Sequence, residues 1–355
     1  MYFCQQPPNS AIMNPFPERL RAARKKKGWS LQDLANHMPV SISKQSLNKY
    51  EAGLMQPTGE VLVALGKALD VKADYFARPL MVDLPPVAFR KAASLPVKQI
   101  ESIKETVRDV IERYLEVENL LQINDQFINP LPAHIVQEPE EVDDLAYALL
   151  KHWKVGIDPI PNVIEMLEEK GIRVIEIPGP ASFDGLSTLV GKVAVIVLNH
   201  NFSIERKRFT ALHELGHLVL TIDEAADQEK ICHAFAGAML LPGQTLQRIL
   251  GDKRNNIAPG ELVNIKEQYG ISTQAIMMRA LILGIINQST ASRFFRSMTG
   301  NKKENGMGSF RGNEKSYRFE QLVFRLAAED IVSMSKAASL AGLKLAEFKD
   351  KLDAR

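Results

Sequence analysis

The pentapeptide His213-Glu-Leu-Gly-His217 constrains this chain of 355 residues more than any other stretch of it. It lies in a predicted helix over 204–220, which apolar flanking residues bury. Side chains four residues apart project from one face of a helix, so both imidazoles can reach a single Zn2+. Glu214 follows the first histidine and is angled toward the open coordination position, where it can act as a general base. The pattern predicts a zinc site on a buried helix.

A zinc site of this type needs a third protein ligand. The metzincin pattern requires glycine and histidine three and six residues after the second histidine, but this chain has Leu220 and Asp223 there. The remaining candidates are Asp227, Glu229 and His233, the last two one turn apart on a predicted helix over 226–240. Glu229 would complete a His2Glu site. His233 could instead bind the metal, hold Glu229, or donate a hydrogen bond to an oxyanion. Cys232 points elsewhere on the helix and is predicted only to pack.

The segments around the pentapeptide alternate between helical and strand patterns. We predict helices over 143–154 and 161–170, then strands over 172–177, 183–189 and 193–198. The strand over 193–198 is entirely apolar, which suits burial on both faces. A region of this kind belongs to the α+β class.

The segment 1–80 carries an excess of positive charge. It holds eleven Lys and Arg but six Asp and Glu, a net charge of +5, whereas the whole chain has +2. Apolar residues recur at helical spacing from Pro17, and Ser30 and Ser43 are placed as N-caps of two short helices, 31–37 and 44–51. A small basic helical module predicts an encounter with a polyanion.

Three stretches of this module resemble the XRE (Cro/C1-type) DNA-binding family: Arg19-Leu-Arg, Gly28-Trp-Ser-Leu-Gln-Asp-Leu-Ala35, and Ser43 through Gly53. The resemblance extends over 19–76 and implies that helix 44–51 enters the major groove. Its polar face would consist of Lys44, Gln45, Ser46, Asn48 and Lys49. Gln45 and Asn48 would read base edges and the lysines would hold phosphates. The expected partner is a double-stranded operator, a palindrome bound by a homodimer.

A second resemblance surrounds the pentapeptide. Arg208 through His217, then Glu229-Lys-Ile-Cys-His-Ala-Phe-Ala236 and Met239-Leu-Leu-Pro242, resemble the ImmA/IrrE family of metallopeptidases. The resemblance covers about 141–290. It implies that His213, His217 and Glu229 bind zinc and that Glu214 is the general base. The family usually has Ala-Asn where this chain has Cys232-His233, which makes His233 a candidate catalytic residue.

These patterns together predict a multidomain protein: an all-α helix-turn-helix bundle, an α+β zincin-like metallopeptidase domain and a helical C-terminal region. The expected divisions are a disordered tail (1–16), the DNA-binding domain (17–78), a helical linker (79–140), the peptidase domain (141–290), a flexible loop (291–316) and C-terminal helices (317–355). No motif for an organic cofactor is present. The two cysteines are too few for a disulfide framework, and no apolar run approaches the ~18 residues of a membrane helix. We therefore expect a cytoplasmic protein with no membrane partner.

Two functions are compatible with this architecture. The resemblance to ImmA/IrrE implies a protein substrate of XRE type, so the chain could be a DNA-binding regulator whose zinc peptidase cuts a repressor or antitoxin. Alternatively, the zinc domain is a non-catalytic sensor or scaffold and the chain is only a transcription factor. The presence of Glu214 favours the first function, because a structural zinc ion needs no general base beside it.

Overall fold

The computed structural model describes residues 14–78, 82–84 and 95–354. Within this range the chain forms two compact units, one ending at Glu112 and the other beginning at Arg113. None of the helices in the described part combines the length and the apolar character that crossing a membrane requires. The predicted class is confirmed, because a helical first region is followed by an α/β region with small sheets and by a helical C-terminus.

The first unit is a helical bundle. Its helices are α1 (Phe16–Lys26), α2 (Leu31–His37), α3 (Lys44–Glu51), α4 (Gly59–Leu69), a short 3-10 helix (Ala73–Ala77) and the first part of α5 (Val97–Leu120). Ser30 caps α2 and Ser43 caps α3, since each hydroxyl accepts a hydrogen bond from the third backbone N–H of its helix. The core side chains include Leu20, Leu34 and Leu47, all fully buried. Burial of these faces holds the short helices in place.

The predicted disordered tail, 1–16, overlaps the start of this bundle. Residues 1–13 lie outside the described range, whereas Phe16 begins α1 and is buried. Its ring lies 5.6 Å from that of Phe76 and 6.2 Å from that of Tyr50. The composition of the tail suggested disorder, but an aromatic side chain with two ring partners joins the core.

The second unit contains the mixed part of the fold. It begins with β1 (Ile135–Val136), α6 (Val142–His152), α7 (Val163–Glu169), β2 (Arg173–Ile177), β3 (Gly185–Val190), β4 (Val193–Asn199), α8 (Ile204–Val219), β5 (Thr221–Ile222) and α9 (Gln228–Leu240). The central strand β4 pairs parallel with β2 and antiparallel with β3, and β1 pairs parallel with β5. In the described part, β3 therefore has a strand partner on one side only.

Helices complete the second unit. They are α10 (Gly243–Leu250), α11 (Pro259–Tyr269), α12 (Thr273–Ile282), α13 (Gln288–Ser297), α14 (Arg318–Ala328), α15 (Met334–Ala341) and α16 (Leu345–Asp353). The last three helices share a small core that includes Val323, Leu340 and Phe348 and is joined by Val117 from α5. The predicted C-terminal helices thus form a small cluster in which α5 takes part.

The predicted flexible loop, 291–316, differs from the structure. Its first residues belong to α13, and two buried carboxylates anchor the part that follows. Glu304 accepts hydrogen bonds from the first backbone N–H groups of α12, and Glu314 accepts one from α7 and pairs with Arg208 of α8. Its glycines and asparagines suggested mobility, but carboxylates at helix N-termini fix the backbone.

A buried carboxyl group makes the stability of the second unit depend on pH. Glu168 is 5 % exposed and accepts a hydrogen bond from the Ser316 hydroxyl at 2.7 Å. Burial raises the pKa of Glu168 to about 7, although the Ser316 hydrogen bond and nearby arginines act against this. Below the pKa of an unfolded glutamate, Glu168 is protonated in both the folded and the unfolded state, so its burial carries no ionisation penalty. Between that pKa and about 7, the folded state binds more protons than the unfolded state.

The free energy of unfolding should therefore fall as pH rises from 5 to 8. Glu168→Gln removes the ionisation and should stabilise the full chain at pH 8 by about 1–3 kcal/mol, with a much smaller effect at pH 5. Urea unfolding at both pH values measures this difference, with the exposed Glu169→Gln on the same helix as the control. Equal effects of Glu168→Gln at the two pH values would contradict the prediction.

Candidate metal centre and nucleic-acid interface

Two helices bring three metal-binding side chains together. His213 and His217 lie one turn apart on α8, and Glu229 lies in the first turn of α9. The Nε2 atoms of the histidines are 3.2 Å apart, and Glu229 carboxylate oxygens lie 3.2 Å from His213 Nε2 and 3.6 Å from His217 Nε2. In the described part of the chain, this is the His, Cys, Asp and Glu cluster with ligand atoms close enough for one ion.

The arrangement fits zinc. Zinc bonds to nitrogen and oxygen are about 2.0–2.2 Å long, so the corners of a tetrahedral site lie about 3.3–3.6 Å apart. The separations of 3.2, 3.2 and 3.6 Å agree with that spacing. Two imidazoles and one carboxylate are also a donor set that zinc accepts, with one position left for water or substrate.

Close packing of α8 on α9 makes this meeting possible. A side chain at Gly216 would approach Cys232 Sγ to 3.2 Å and the Phe235 ring to 3.3 Å, so glycine lets the helices come together here. Asp227, one of the three candidates for the third ligand, is instead the N-cap of α9, and its carboxylate accepts the Lys230 backbone N–H. Its capping role leaves Glu229 as the carboxylate beside the histidines.

Glu214 lies beside the histidines but does not belong to the ligand cluster. It is 3 % exposed, and its carboxylate accepts a hydrogen bond of 2.8 Å from the Ser187 hydroxyl on β3. Strand β3 runs close to α8 because Gly185 carries no side chain: a Cβ there would lie 2.8 Å from Thr210. No sequence pattern indicated Ser187, which precedes Glu214 by 27 residues and meets it only through the packing of sheet on helix.

The two residues that depart from the ImmA/IrrE pattern both contact ligands. Cys232 is fully buried, as predicted, but its Sγ atom lies 3.5 Å from His217 Nδ1, so the prediction that it points elsewhere is wrong. His233 is exposed, and its ring lies 4.3 Å from that of His213 and 5.8 Å from that of Phe209. His233 therefore lies against His213, is exposed to solvent and stays outside the ligand cluster.

The predicted DNA-reading residues share an exposed surface of α3. Lys44, Gln45, Asn48 and Lys49 are exposed, whereas Leu47 and Tyr50 face the core. Ser46 is half-buried, and its hydroxyl lies 3.0 Å from that of the N-cap Ser43. The structure thus places four of the five residues on one solvent-facing side and turns Ser46 toward the helix cap.

Much of the positive charge counted in the segment 1–80 is neutralised within the first unit. Helix α5 presents acidic side chains to α1, and the ion pairs are Arg19–Glu112 at 2.6 Å, Lys25–Glu101 at 2.7 Å and Lys26–Asp109 at 2.6 Å. Lys44 and Lys49 have no ion-pair partner among the described residues. Lys44 and Lys49 on α3 are therefore among the cations that remain available to phosphate, which the net charge alone could not show.

Family models match both regions. The helix-turn-helix model HTH_3 matches residues 20–76, and the Peptidase_M78 model, described as the IrrE N-terminal-like domain, matches residues 167–281. The fused architecture is confirmed. No curated protein matches the chain. The helix-turn-helix match supports DNA binding by the first unit, and the second match includes the pentapeptide and Glu229 in a peptidase-like domain.

Substitutions on α3 should separate base reading from phosphate binding. Gln45→Ala or Asn48→Ala should cost about 1–3 kcal/mol on the preferred duplex and little on unrelated duplexes, because the lost contacts are to base edges. Lys49→Gln should weaken all duplexes alike and reduce the salt dependence. Titrations of the full chain on both duplexes at fixed salt measure this, with exposed Lys67→Gln on α4 as the control. Equal losses on every duplex for all three variants would contradict base reading by α3.

Proposed function

We propose that this protein is a DNA-binding regulator that carries a zinc-dependent endopeptidase, and that it cuts a repressor or antitoxin of XRE type. The observation that supports it most is that His213, His217 and Glu229 place their ligand atoms 3.2–3.6 Å apart, while the buried Glu214 directly follows His213 on the same helix. Three ligands and a separate base are the parts that zinc-dependent hydrolysis of a peptide bond needs.

The residues of the site divide the chemistry between them. His213, His217 and Glu229 would hold the zinc ion, which would supply polarisation of the scissile carbonyl and a lowered pKa of water. Glu214 accepts the proton of the attacking water and transfers it to the leaving amine. The hydrogen bond from Ser187 orients the Glu214 carboxylate for this proton transfer.

An extended substrate segment could align on β3. This strand has a free edge in the described part of the chain and carries Ser187, the hydrogen-bond partner of Glu214. Backbone hydrogen bonds to a free strand edge bind a peptide without regard to most of its side chains. Such pairing holds the scissile bond in one register, and it requires that the substrate offer an exposed strand or loop.

The exposed His233, beside His213, would take part in catalysis. Of the three roles considered for it, we assign donation of a hydrogen bond to the oxyanion that forms on the scissile carbonyl. The ring is exposed and packs on His213 but lies outside the ligand cluster, which disfavours the role of a ligand.

DNA binding by the first unit would bring the peptidase to an operator. Lys44, Gln45, Asn48 and Lys49 on α3 would hold an operator, with Ser46 at the helix cap, and two copies would bind a palindrome. The substrate class follows from the resemblance to ImmA/IrrE proteins. A chain that binds an operator and cuts a repressor can control transcription by destroying a protein that acts at the same or a related site.

The alternative is a transcription factor whose zinc domain serves only as a sensor or scaffold. A buried carboxylate beside two histidines is costly to keep unless it has a task. Glu214 is buried and directly follows the first histidine, yet it does not belong to the ligand cluster, so we favour the enzymatic function.

Expression of the chain beside a neighbouring XRE-type repressor or antitoxin tests the proposal. We expect the repressor or antitoxin to be shortened on a gel. A reporter gene under the operator of that repressor should be released from repression. If the partner keeps its full length while the reporter still responds to the chain, the zinc domain is a sensor and the peptidase function is wrong.

A further inference from the structure

A cleft of about 940 Å3 lies beside the proposed metal centre. It is bounded by the beginning of α8, the beginning of α12 and the segment that joins α13 to α14. Its lining residues include the aromatic Phe202 and Phe209 and the basic Lys302 and Lys303. Its size lies within the range of about 300–1,000 Å3 that is typical of ligand-binding clefts.

The cleft adjoins the metal centre through a row of rings. The Phe209 ring lines the cleft and lies 5.8 Å from the His233 ring, which lies 4.3 Å from the ring of His213. Phe209 and His213 are one turn apart on α8. A peptide held with its scissile bond at the metal centre can therefore extend into this cleft.

Three of the six charged residues that line the cleft form ion pairs. Lys266 lies 2.9 Å from Glu304, and Arg206 lies 2.5 Å from Asp184. Burial acts to raise the pKa of Glu304, but Lys266 and the backbone N–H groups of α12 hold it below the ordinary value, so this carboxylate stays ionised and satisfied. Lys302 and Lys303, both exposed, have no ion-pair partner in the described part of the chain.

The backbone that carries the two lysines is fixed. The side-chain amide of Gln274 donates a hydrogen bond of 3.0 Å to the Lys302 carbonyl. The next residue after Lys303 is Glu304, whose buried carboxylate binds the beginning of α12. The backbone that carries the two lysines is thus held at the cleft, which lowers the backbone entropy lost when they bind an anion.

We propose that this cleft selects the substrate: Lys302 and Lys303 bind an acidic side chain of the protein segment that is cut. The inference rests on the proposed peptidase function and adds to it a preference for Asp or Glu near the scissile bond. Glu205 also lines the cleft, where its carboxylate accepts the Phe310 backbone N–H, but the two lysines outnumber it. The charge that the ion pairs do not balance is therefore positive, which favours carboxylates and disfavours basic segments.

The test measures binding and therefore does not depend on turnover. The full chain carrying Glu214→Gln, loaded with zinc, is titrated with two fluorescent peptide pools of equal length. One pool contains Asp and Glu at variable positions and the other contains Lys and Arg. We expect the acidic pool to bind about 3- to 10-fold more tightly at low salt, and the difference to shrink at high salt.

Lys302→Gln with Lys303→Gln should abolish this preference. Lys151→Gln with Lys349→Gln makes the same change in net charge at exposed positions outside the cleft and should keep it. Equal binding of both pools, or a preference that survives the cleft variant, would overturn the inference and leave the peptidase function untouched.

Two further results would also overturn it. Failure of both pools to bind at millimolar concentration would exclude the cleft as a peptide site. Tighter binding of a single-stranded oligonucleotide, again lost in the cleft variant, would assign the lysines to nucleic acid. The expression assay with an intact repressor uses no peptide, so it decides separately whether the proposed peptidase function stands.

Discussion

Replacement of Glu214 by Gln is expected to slow cleavage of the protein substrate by about 100- to 10,000-fold, the usual contribution of a positioned general base. The amide has the shape of the carboxylate and can still accept a hydrogen bond from Ser187, so the site should keep its structure. It cannot take a proton from water. Zinc content and operator affinity should therefore match those of the wild type.

Rates of substrate loss with purified, zinc-loaded protein measure this effect. Glu224→Gln is a suitable control, because Glu224 is exposed in the turn before α9 and lies outside the ligand cluster. A Glu214→Gln variant that cuts as fast as the Glu224→Gln control would show that Glu214 is not the base. Loss of zinc from Glu214→Gln would instead give it a role in holding the metal.

The second large effect concerns the third ligand. Glu229→Ala should weaken zinc binding by more than about 100-fold, since a change outside the ligand shell typically costs about 10- to 100-fold and this one removes a ligand. His233→Ala should weaken zinc binding by less than about tenfold, because that ring packs on His213 without joining the ligand cluster.

Competition with a chelator of known zinc affinity, at a fixed pH, ranks the two variants. The circular dichroism of each variant must match that of the wild type, which excludes unfolding as the reason for metal loss. The opposite order, with His233→Ala losing zinc and Glu229→Ala retaining it, would make His233 the ligand and Glu229 a surface carboxylate.

The sequence predicted the parts of this site that depend on helical spacing alone. His213 and His217 are one turn apart, and Glu229 lies twelve residues later on the next helix. The structure therefore brings together three residues that their spacing in the sequence had suggested as ligands. The helix predicted over 204–220, which carries the pentapeptide, spans Ile204–Val219. Strong apolar periodicity explains this agreement.

Contacts between distant segments could not be predicted in the same way. Ser187 reaches Glu214 only because β3 packs on α8, and Cys232 reaches His217 only because Gly216 lets two helices approach. Strand β1 is two residues long and pairs with an equally short strand, so neither carries a detectable alternation. Periodicity describes one element at a time, whereas these features arise from how elements pack.

Charge showed the same limit. The net charge of +5 in the segment 1–80 predicted an encounter with a polyanion, but acidic side chains of α5 pair with Arg19, Lys25 and Lys26. Net charge per segment therefore overestimated the cations that remain for DNA. The exposed lysines of α3 are a narrower footprint, and they coincide with the helix that the resemblance assigned to the major groove.

The proposed function requires this chain to hydrolyse a peptide bond of a regulatory protein by means of its zinc site. The most direct measurement is the intact mass of a purified XRE-type repressor after incubation with the metal-stripped chain, before and after zinc is added back. We expect no change without zinc and, with zinc, two fragments whose masses sum to that of the repressor plus one water. A repressor that keeps its mass with the zinc-loaded chain, while that chain still binds its operator, would show that the zinc site does not cut it.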